Sequence, residues 1–246
     1  MGIAGAAHGT QSVMDLSRVG VVIPTLDEEA SIGLVLAALP AGLRQVVVAD
    51  NGSTDRSAEV ARAAGAQVVS APERGYGAAC LAGLAALESG VEVVAFLDAD
   101  RSDHPDELPS LLQPVSEGRA DMVIGSRALG HAEPGSMLPQ QRFGNWLATR
   151  LIRVLFGHRY TDLGPFRVIT REALERIGMQ DRTYGWTVEM QVRALQLGLR
   201  VEEVPVSYRR RVGRSKIAGT VRGTLGAGVK IIGTVIGLRL RGPAAG

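Results

Sequence analysis

Through the first half of the chain, apolar runs of strand length alternate with helix-like segments. VGVVIP (19–24), QVVVAD (45–50), AQVVSA (66–71), VEVVAFLD (91–98) and ADMVIGS (120–126) read as strands. Their unbroken Val and Ile character, without strict alternation, suits strands covered on both faces. Between them EEASIGLVLAAL (28–39), STDRSAEVARAAG (53–65), YGAACLAGLAALESG (76–90) and HPDELPSLLQPVSEG (104–118) read as helices. Ser53 or Thr54 is the expected N-cap of the second, with Gly65 and Gly90 as stops. The Gly75-Tyr76-Gly77 stretch reads as a turn. Beyond residue 127 come a Gly/Pro loop (130–139), a helix near 140–156 and YTDLGPFRVIT (160–170), to which no element is assigned. A helix over about 184–198 and the strand RVEEVPVSY (200–208) follow. Strand–helix repetition at this spacing predicts an α/β chain with a mostly parallel, Rossmann-like sheet flanked by helices. The expected division is a tail at 1–17, one domain at 18–216 and a C-terminal helical extension at 217–246.

In that extension Ile217, Val221, Leu225, Val229, Ile232 and Ile236 share one helical face, with Arg222 and Lys230 off it. Two readings compete for the face: packing on the domain, or lying in a membrane interface beside the basic run SYRRRVGRSK (207–216). No stretch approaches the roughly 18 uncharged apolar residues needed to cross a bilayer. The N-terminus lacks the basic start and apolar core of a signal peptide, and Cys80 is the single cysteine, so no intramolecular disulfide forms. These features point to the cytoplasm, with a peripheral contact at the inner face of the membrane under the interface reading. A net charge of +2 gives no reason to expect a nucleic-acid partner.

Ligands of such sheets bind at the carboxyl ends of the strands. Three of those ends are acidic here: PTLDEE after the first strand, ADNGSTD after the second and LDADRSD after the fourth. The first leads into Asp27, Glu28 and Glu29 where a dinucleotide-binding enzyme would carry a glycine-rich phosphate cradle, which argues against an oxidoreductase. Carboxylates gathered at a buried strand end repel one another unless a cation joins them. Asp98 and Asp100, two residues apart at a chain turn, can both face one hard ion such as Mg²⁺ or Mn²⁺. The competing structural role for Asp98 and Asp103 is capping the next helix.

At this point the residues resemble a family. VVIPTLDEEASIG, VVVADNGSTDRS, FLDAD and VIGSR look like the successive motifs of family 2 glycosyltransferases with the GT-A fold. TDLGPFRVITREAL and VEMQVRALQLGLRVEEVPVSYRRRVGRSK resemble the dolichyl-phosphate mannosyltransferase-like branch. The resemblance spans roughly residues 19–217. It implies that Pro24, Thr25, Asp27, Glu29 and Asp50 bind the nucleoside of a nucleotide-diphosphate sugar, and that Asp98 and Asp100 hold the metal. It further implies that Arg127 and Arg142 stand near phosphates, and that Arg209, Arg210, Arg211, Ser215 and Lys216 form a basic acceptor- or phosphate-binding motif. One position departs from the pattern. Ser102 stands where the branch commonly has a glutamine as an extra metal ligand.

The physics beside the resemblance agrees with it. Breaking a sugar–diphosphate bond places charge on the leaving phosphate, which a divalent cation and guanidinium groups stabilise without proton transfer. Glu189 falls where family members carry an acidic residue facing the acceptor, and a hydroxyl acceptor needs such a base; Asp162 is a weaker candidate. A phosphate acceptor, already ionised near neutral pH, needs none. The alternative for Glu189 is an ion pair with Arg193 one turn on. The sequence therefore predicts an inverting, metal-dependent glycosyltransferase with a polyprenyl phosphate acceptor. The second reading is a soluble hydroxyl acceptor, and the third a nucleotide-sugar-binding protein without turnover.

Overall fold

The computed structural model describes residues 14–213 and 221–242, with backbone alone for 221–227 and 229. A single turn at Leu16–Arg18 leads into a seven-stranded sheet. In chain order its strands are β1 (Val19–Thr25), β2 (Gln45–Asp50), β3 (Gln67–Ser70), β4 (Val93–Phe96), β5 (Met122–Ser126), β6 (Arg167–Thr170) and β7 (Val201–Pro205). Their spatial order is β3-β2-β1-β4-β6-β5-β7. All neighbours pair in parallel except β6, which runs antiparallel to both β4 and β5. The remaining six strands thus point one way, and their carboxyl ends share one edge.

The continuous apolar runs follow from burial on both faces. Along β1, Val19, Val21 and Ile23 join a core with Ile32, Val35, Leu108, Leu111 and Leu112, while Val22 turns to the opposite core with Cys80, Ile152 and Trp186. In β4 the same alternation sends Val93 and Ala95 one way and Val94 and Phe96 the other. The first core belongs to α1 (Ile32–Ala37), α2 (Ser57–Ala63) and α4 (Leu108–Ser116). The second belongs to α3 (Tyr76–Ala85), α5 (Pro139–Phe156), α6 (Arg171–Ile177), α7 (Trp186–Gln196) and α8 (Val221–Arg241).

Three expectations change. The stretch 160–170 contains β6, whose four residues are too few to show a period, and α6 begins directly after it with Thr170 Oγ1 accepting from the Ala173 amide. Neither Ser53 nor Thr54 caps α2: Ser53 Oγ accepts from the Asp27 amide, and Thr54 donates through its amide and hydroxyl to Asp27. The Gly75-Tyr76-Gly77 stretch opens α3 instead of forming an isolated turn.

That helix start fixes one wall of the cleft at the strand ends. The Gly77 and Ala78 amides donate to the Thr183 and Arg182 carbonyls, seating the 179–185 loop on the first turn of α3. A Cβ at Gly77 would lie 2.0 Å from the Asp181 carbonyl oxygen, so only glycine admits this approach. From the other side Glu189 holds the same loop. Its Oε2 accepts from the Gln180 and Asp181 amides at 3.0 and 2.6 Å, and its Oε1 pairs with Arg193 Nε at 2.9 Å. Asp181 in turn takes the Thr183 and Gly185 amides and Lys230 Nζ of α8.

On α8, Val235 and Leu238 are buried in the second core and Ile231 packs against it. Of the face read from the sequence, Ile232 is half-buried. Ile236 of that face is exposed; Ile217 and the side chains of Val221, Leu225 and Val229 lie outside the described residues. Glu189→Ala leaves Arg193 buried without its carboxylate and two amides unbonded, and costs about 3–5 kcal/mol in urea unfolding. Gly77→Ala overpacks the same contact and costs about 1–3 kcal/mol. A Glu189→Ala loss below about 1 kcal/mol would contradict the loop-anchoring role.

Candidate active site

The strand β4 ends in Leu97, and the chain then turns through Asp98, Ala99, Asp100, Arg101, Ser102 and Asp103. The turn is tight enough to place Arg101 at φ 66, the left-handed region that side chains rarely adopt. Asp100 and Asp103 are buried and Asp98 is half-buried. Neither Asp98 nor Asp103 caps a helix. Asp103 Oδ2 accepts the Asp98 amide at 3.3 Å, and its buried Oδ1 has no hydrogen-bond partner. Burial, and then the neighbouring Asp100, push the Asp98 carboxyl up to about 7. Burial, followed by Asp98 and Asp100, raises Asp103 well above the carboxylate range. Three carboxyl groups thus share a turn with less positive charge than they need.

What compensation there is arrives from the C-terminal segment. After β7 the chain crosses the acidic turn, with the Arg209 amide donating to the Ser102 carbonyl at 2.9 Å and the Val212 amide to the Asp100 carbonyl at 3.0 Å. Arg211 reaches Glu28 Oε1 at 2.8 Å and Asp100 Oδ2 at 3.3 Å. Arg209 donates to the Asp103 carbonyl oxygen. Ser102, in place of the glutamine, donates through its amide and hydroxyl to Asp100 Oδ1, fixing that carboxylate.

Two cavities, of ≈ 280 and ≈ 290 Å³, meet at this turn. They share Tyr76, Asp98, Asp100, Tyr184 and Arg211 as a common wall. The first extends over the ends of β1 and β2, against Pro24, Thr25, Glu28, Asn51 and Arg74. The second extends toward α5 and α8, against Arg127, Gln140, Asn145, Tyr208 and Ile231. Tyr76 donates its hydroxyl to Asp98 Oδ1 at 3.1 Å, and Tyr184 sits on the loop held by Glu189.

The predicted residues divide accordingly. Pro24, Thr25, Asp98, Asp100, Arg127 and Arg211 line the cavities. Asp27 and Glu29 do not face the first cavity as expected; Glu28 between them does. Asp27, at φ 50, and Glu29 tie the loop after β1 to the loop after β2, Glu29 Oε2 accepting the Arg56 amide. Asp50 likewise spends Oδ1 on the Ser53 amide, and its neighbour Asn51 reaches the cavity wall. Arg142 is exposed on the outer side of α5, whereas Gln140, Gln141 and Asn145 line the second cavity.

Arg127 is gripped by Asp162 through Nε and NH2, each at 2.7 Å, and its guanidinium lies over the Tyr208 ring. Burial works to lower the Arg127 pKa, but the Asp162 charge overrides it and the net shift is upward. Glu189 does not stand at the cleft; the Arg193 pair and the loop amides take both of its oxygens. Arg210 is exposed and bonds the Pro134 carbonyl oxygen, away from both cavities. Ser215 and Lys216 lie outside the described residues. Sequence reasoning missed Asn51, Arg74, Tyr76 and Tyr208, which stand beside motifs already singled out.

The profile of glycosyl transferase family 2 matches residues 20–178, which run from β1 through α6 and include the acidic turn. An uncharacterised glycosyltransferase of Mycobacterium tuberculosis is 43% identical over 209 residues, covering 84% of this chain and 93% of that protein. An undecaprenyl-phosphate mannosyltransferase of Micrococcus luteus is 33% identical over 220 residues, covering 84% of this chain and 90% of that protein. Among solved structures, glucosyl-3-phosphoglycerate synthase from Mycobacterium tuberculosis, in complex with Mn²⁺, uridine-diphosphate-glucose and phosphoglyceric acid, superposes with a TM-score of 0.73 and 25% identity. The match covers 93% of this chain and 81% of that one. On a sheet of GT-A order, with the family profile spanning well over half of its length, the chain belongs to glycosyl transferase family 2 and is a glycosyltransferase.

Proposed function

We propose that this chain is an inverting hexosyltransferase that moves a sugar from a nucleotide-diphosphate sugar, of the GDP-mannose or UDP-glucose type, to a polyprenyl phosphate. The nucleoside occupies the first cavity, the diphosphate lies along the shared wall and the acceptor enters the second cavity. One observation carries the acceptor half. Among the described residues lining the second cavity, the only carboxylates are Asp98 and Asp100, and there is no histidine. Glu189 and Asp162, the two bases a hydroxyl acceptor could have used, are spent on Arg193 with the loop amides and on Arg127. A hydroxyl nucleophile would therefore lack a proton acceptor, whereas a phosphate monoester is ionised already. In the transfer a phosphate oxygen bonds the anomeric carbon, the bond from that carbon to the diphosphate oxygen breaks, and the nucleoside diphosphate leaves. No proton has to move.

The acidic turn fits a divalent cation: two carboxylates on one wall, Asp98 raised toward neutrality by its surroundings, and an unpartnered buried oxygen on Asp103. Among the described residues no three His, Cys, Asp or Glu side chains are grouped to hold a metal alone. Asp98 and Asp100 would share the ion with diphosphate oxygens, and the bound ion would neutralise charge on the leaving group. Arg211, common to both cavities, adds a permanent positive charge at the same wall. Tyr184 and Tyr76 close the cleft around the sugar from the α3 side. The Mn²⁺ and uridine-diphosphate-glucose of the solved structure support the donor half, and the Micrococcus luteus relative supports the lipid acceptor. The phosphoglyceric acid of that same structure favours a second reading, a small soluble acceptor.

Incubating the purified protein with GDP-mannose or UDP-glucose and Mn²⁺ separates the readings. The expected product is on polyprenyl phosphate in detergent, not on phosphoglyceric acid; the reverse would establish the second reading. Asp100→Ala should abolish turnover together with the cation-dependent gain in donor affinity. If a chelator leaves donor binding by the wild type unchanged, the cation assignment fails. Glu189→Gln should retain kcat within about tenfold, against the loss of about 10²–10⁴ that follows removal of a general base. A loss in that larger range, with donor affinity and fold intact, would restore a hydroxyl acceptor.

A further inference from the structure

The second cavity is lined in part by two helices that carry no negative charge. From Pro134 to Thr161, and from Val204 to the end of the chain, the sequence contains no Asp or Glu. Those stretches include all of α5 and α8, which lie side by side: Gly144 and Ile231 line one cavity, and Arg239 lies over the Phe156 ring at the far ends. Facing outward on α5 are Phe143, Trp146 and Val154, exposed by 61%, 56% and 72%, with Arg150 and Arg153 exposed among them. Positions 143, 146, 150 and 153 fall three or four apart, 154 is four from 150, and the five form one stripe. The two aromatic rings lie 5.8 Å apart. On α8, Ile236 and Leu240 are exposed with Arg239 and Arg241. Lys230 is already paired with Asp181.

We infer that this α5–α8 face docks on an anionic lipid bilayer, with Phe143 and Trp146 inserted at headgroup level and the four arginines against lipid phosphates. Aromatic residues mixed with cations on one side of a helix match the chemistry of that interface. An aqueous surface gives no reason to leave a Phe–Trp pair in water, since large exposed apolar side chains in a cluster mark a contact. A second copy of the chain is the poorer occupant, because it would bring arginines against arginines with no acid on either face. The choice of a bilayer rests on the lipid-acceptor reading in one respect: a polyprenyl phosphate would pass from the interface into the second cavity between these same helices.

Vesicles of phosphatidylcholine, with and without phosphatidylglycerol and lacking both polyprenyl phosphate and sugar donor, test the surface independently of the reaction. Trp146 reports on itself, because the other tryptophan, Trp186, is only 1% exposed. Adding anionic vesicles to the full chain should shift its emission to the blue, and lipids brominated on their acyl chains should quench it. Phe143→Ser should weaken vesicle binding about tenfold. Arg150→Gln and Arg153→Gln should each weaken it about fivefold. These positions are exposed, so the thermal unfolding of each variant should match the wild type; should one fail to fold, quenching of wild-type Trp146 decides alone. Absence of binding at low salt overturns the proposal, as does binding that leaves Trp146 open to aqueous quenchers. Trp146 shielded without lipid, in step with dimer formation by sedimentation, overturns it in favour of a second copy. Vesicle binding without transfer to polyprenyl phosphate would sink the acceptor reading and leave the docking surface standing.

Discussion

Everything at the mouth of this sheet is arranged around the mutual repulsion of Asp98, Asp100 and Asp103. Three carboxyl groups in one turn, largely removed from water, would be strongly unfavourable if all were ionised and alone. The fold answers in three ways. Backbone amides and Ser102 fix two of the groups, Arg211 approaches Asp100, and burial with the neighbouring carboxylates shifts the pKa of Asp98 and of Asp103 upward. The crossing of residues 208–212 over the turn follows from the same need, since it is this segment that delivers the guanidinium groups. A structural acidic cluster would be closed off completely. Here Asp98 and Asp100 are left open on one wall shared by two cavities.

The shared wall also explains why the two cavities differ. Toward β1 and β2 the lining comes from strand ends and the opening of α3, elements locked by the core and by the Asp27 and Glu29 hydrogen bonds between loops. Toward α5 and α8 the lining adds Gln140, Gln141, Asn145 and Ile231 from helices that sit outside the sheet. Rigid strand ends suit the part of the reaction common to many transferases, while surface helices can change without disturbing the sheet.

How far all this could be read from the residues alone depends on range. Asp98 and Asp100 were legible as cleft residues because acids closing an apolar strand are a local pattern at the sheet edge where ligands bind. The parallel sheet was legible for the same reason, through the Val-rich runs of β1, β2 and β4. By contrast β6 carries four residues and a buried Arg167 whose guanidinium is met by the Gly164 and Thr187 carbonyls, so it shows neither the length nor the composition of a core strand. The three arginines at 209–211 read as one basic patch. In an extended chain alternate side chains oppose each other, so Arg209 and Arg211 turn to the acidic turn while Arg210 points away. Glu189 illustrates the remaining limit. Its role is to hold amides at 180 and 181, a contact that no spacing in the sequence encodes.

The bond between Arg211 and Glu28 joins positions 183 residues apart. During synthesis the first four strands and their acidic loops leave the ribosome well before the segment that balances their charge. The sheet can begin to assemble on its apolar faces, but the cleft has no wall on its C-terminal side until the last strand is made. Contacts of this range carry the largest loop-closure entropy and form late. The binding cleft is therefore the last part of the domain that the order of the chain allows to be completed, and a nascent chain cut short before Tyr208 carries the acidic turn without its cations.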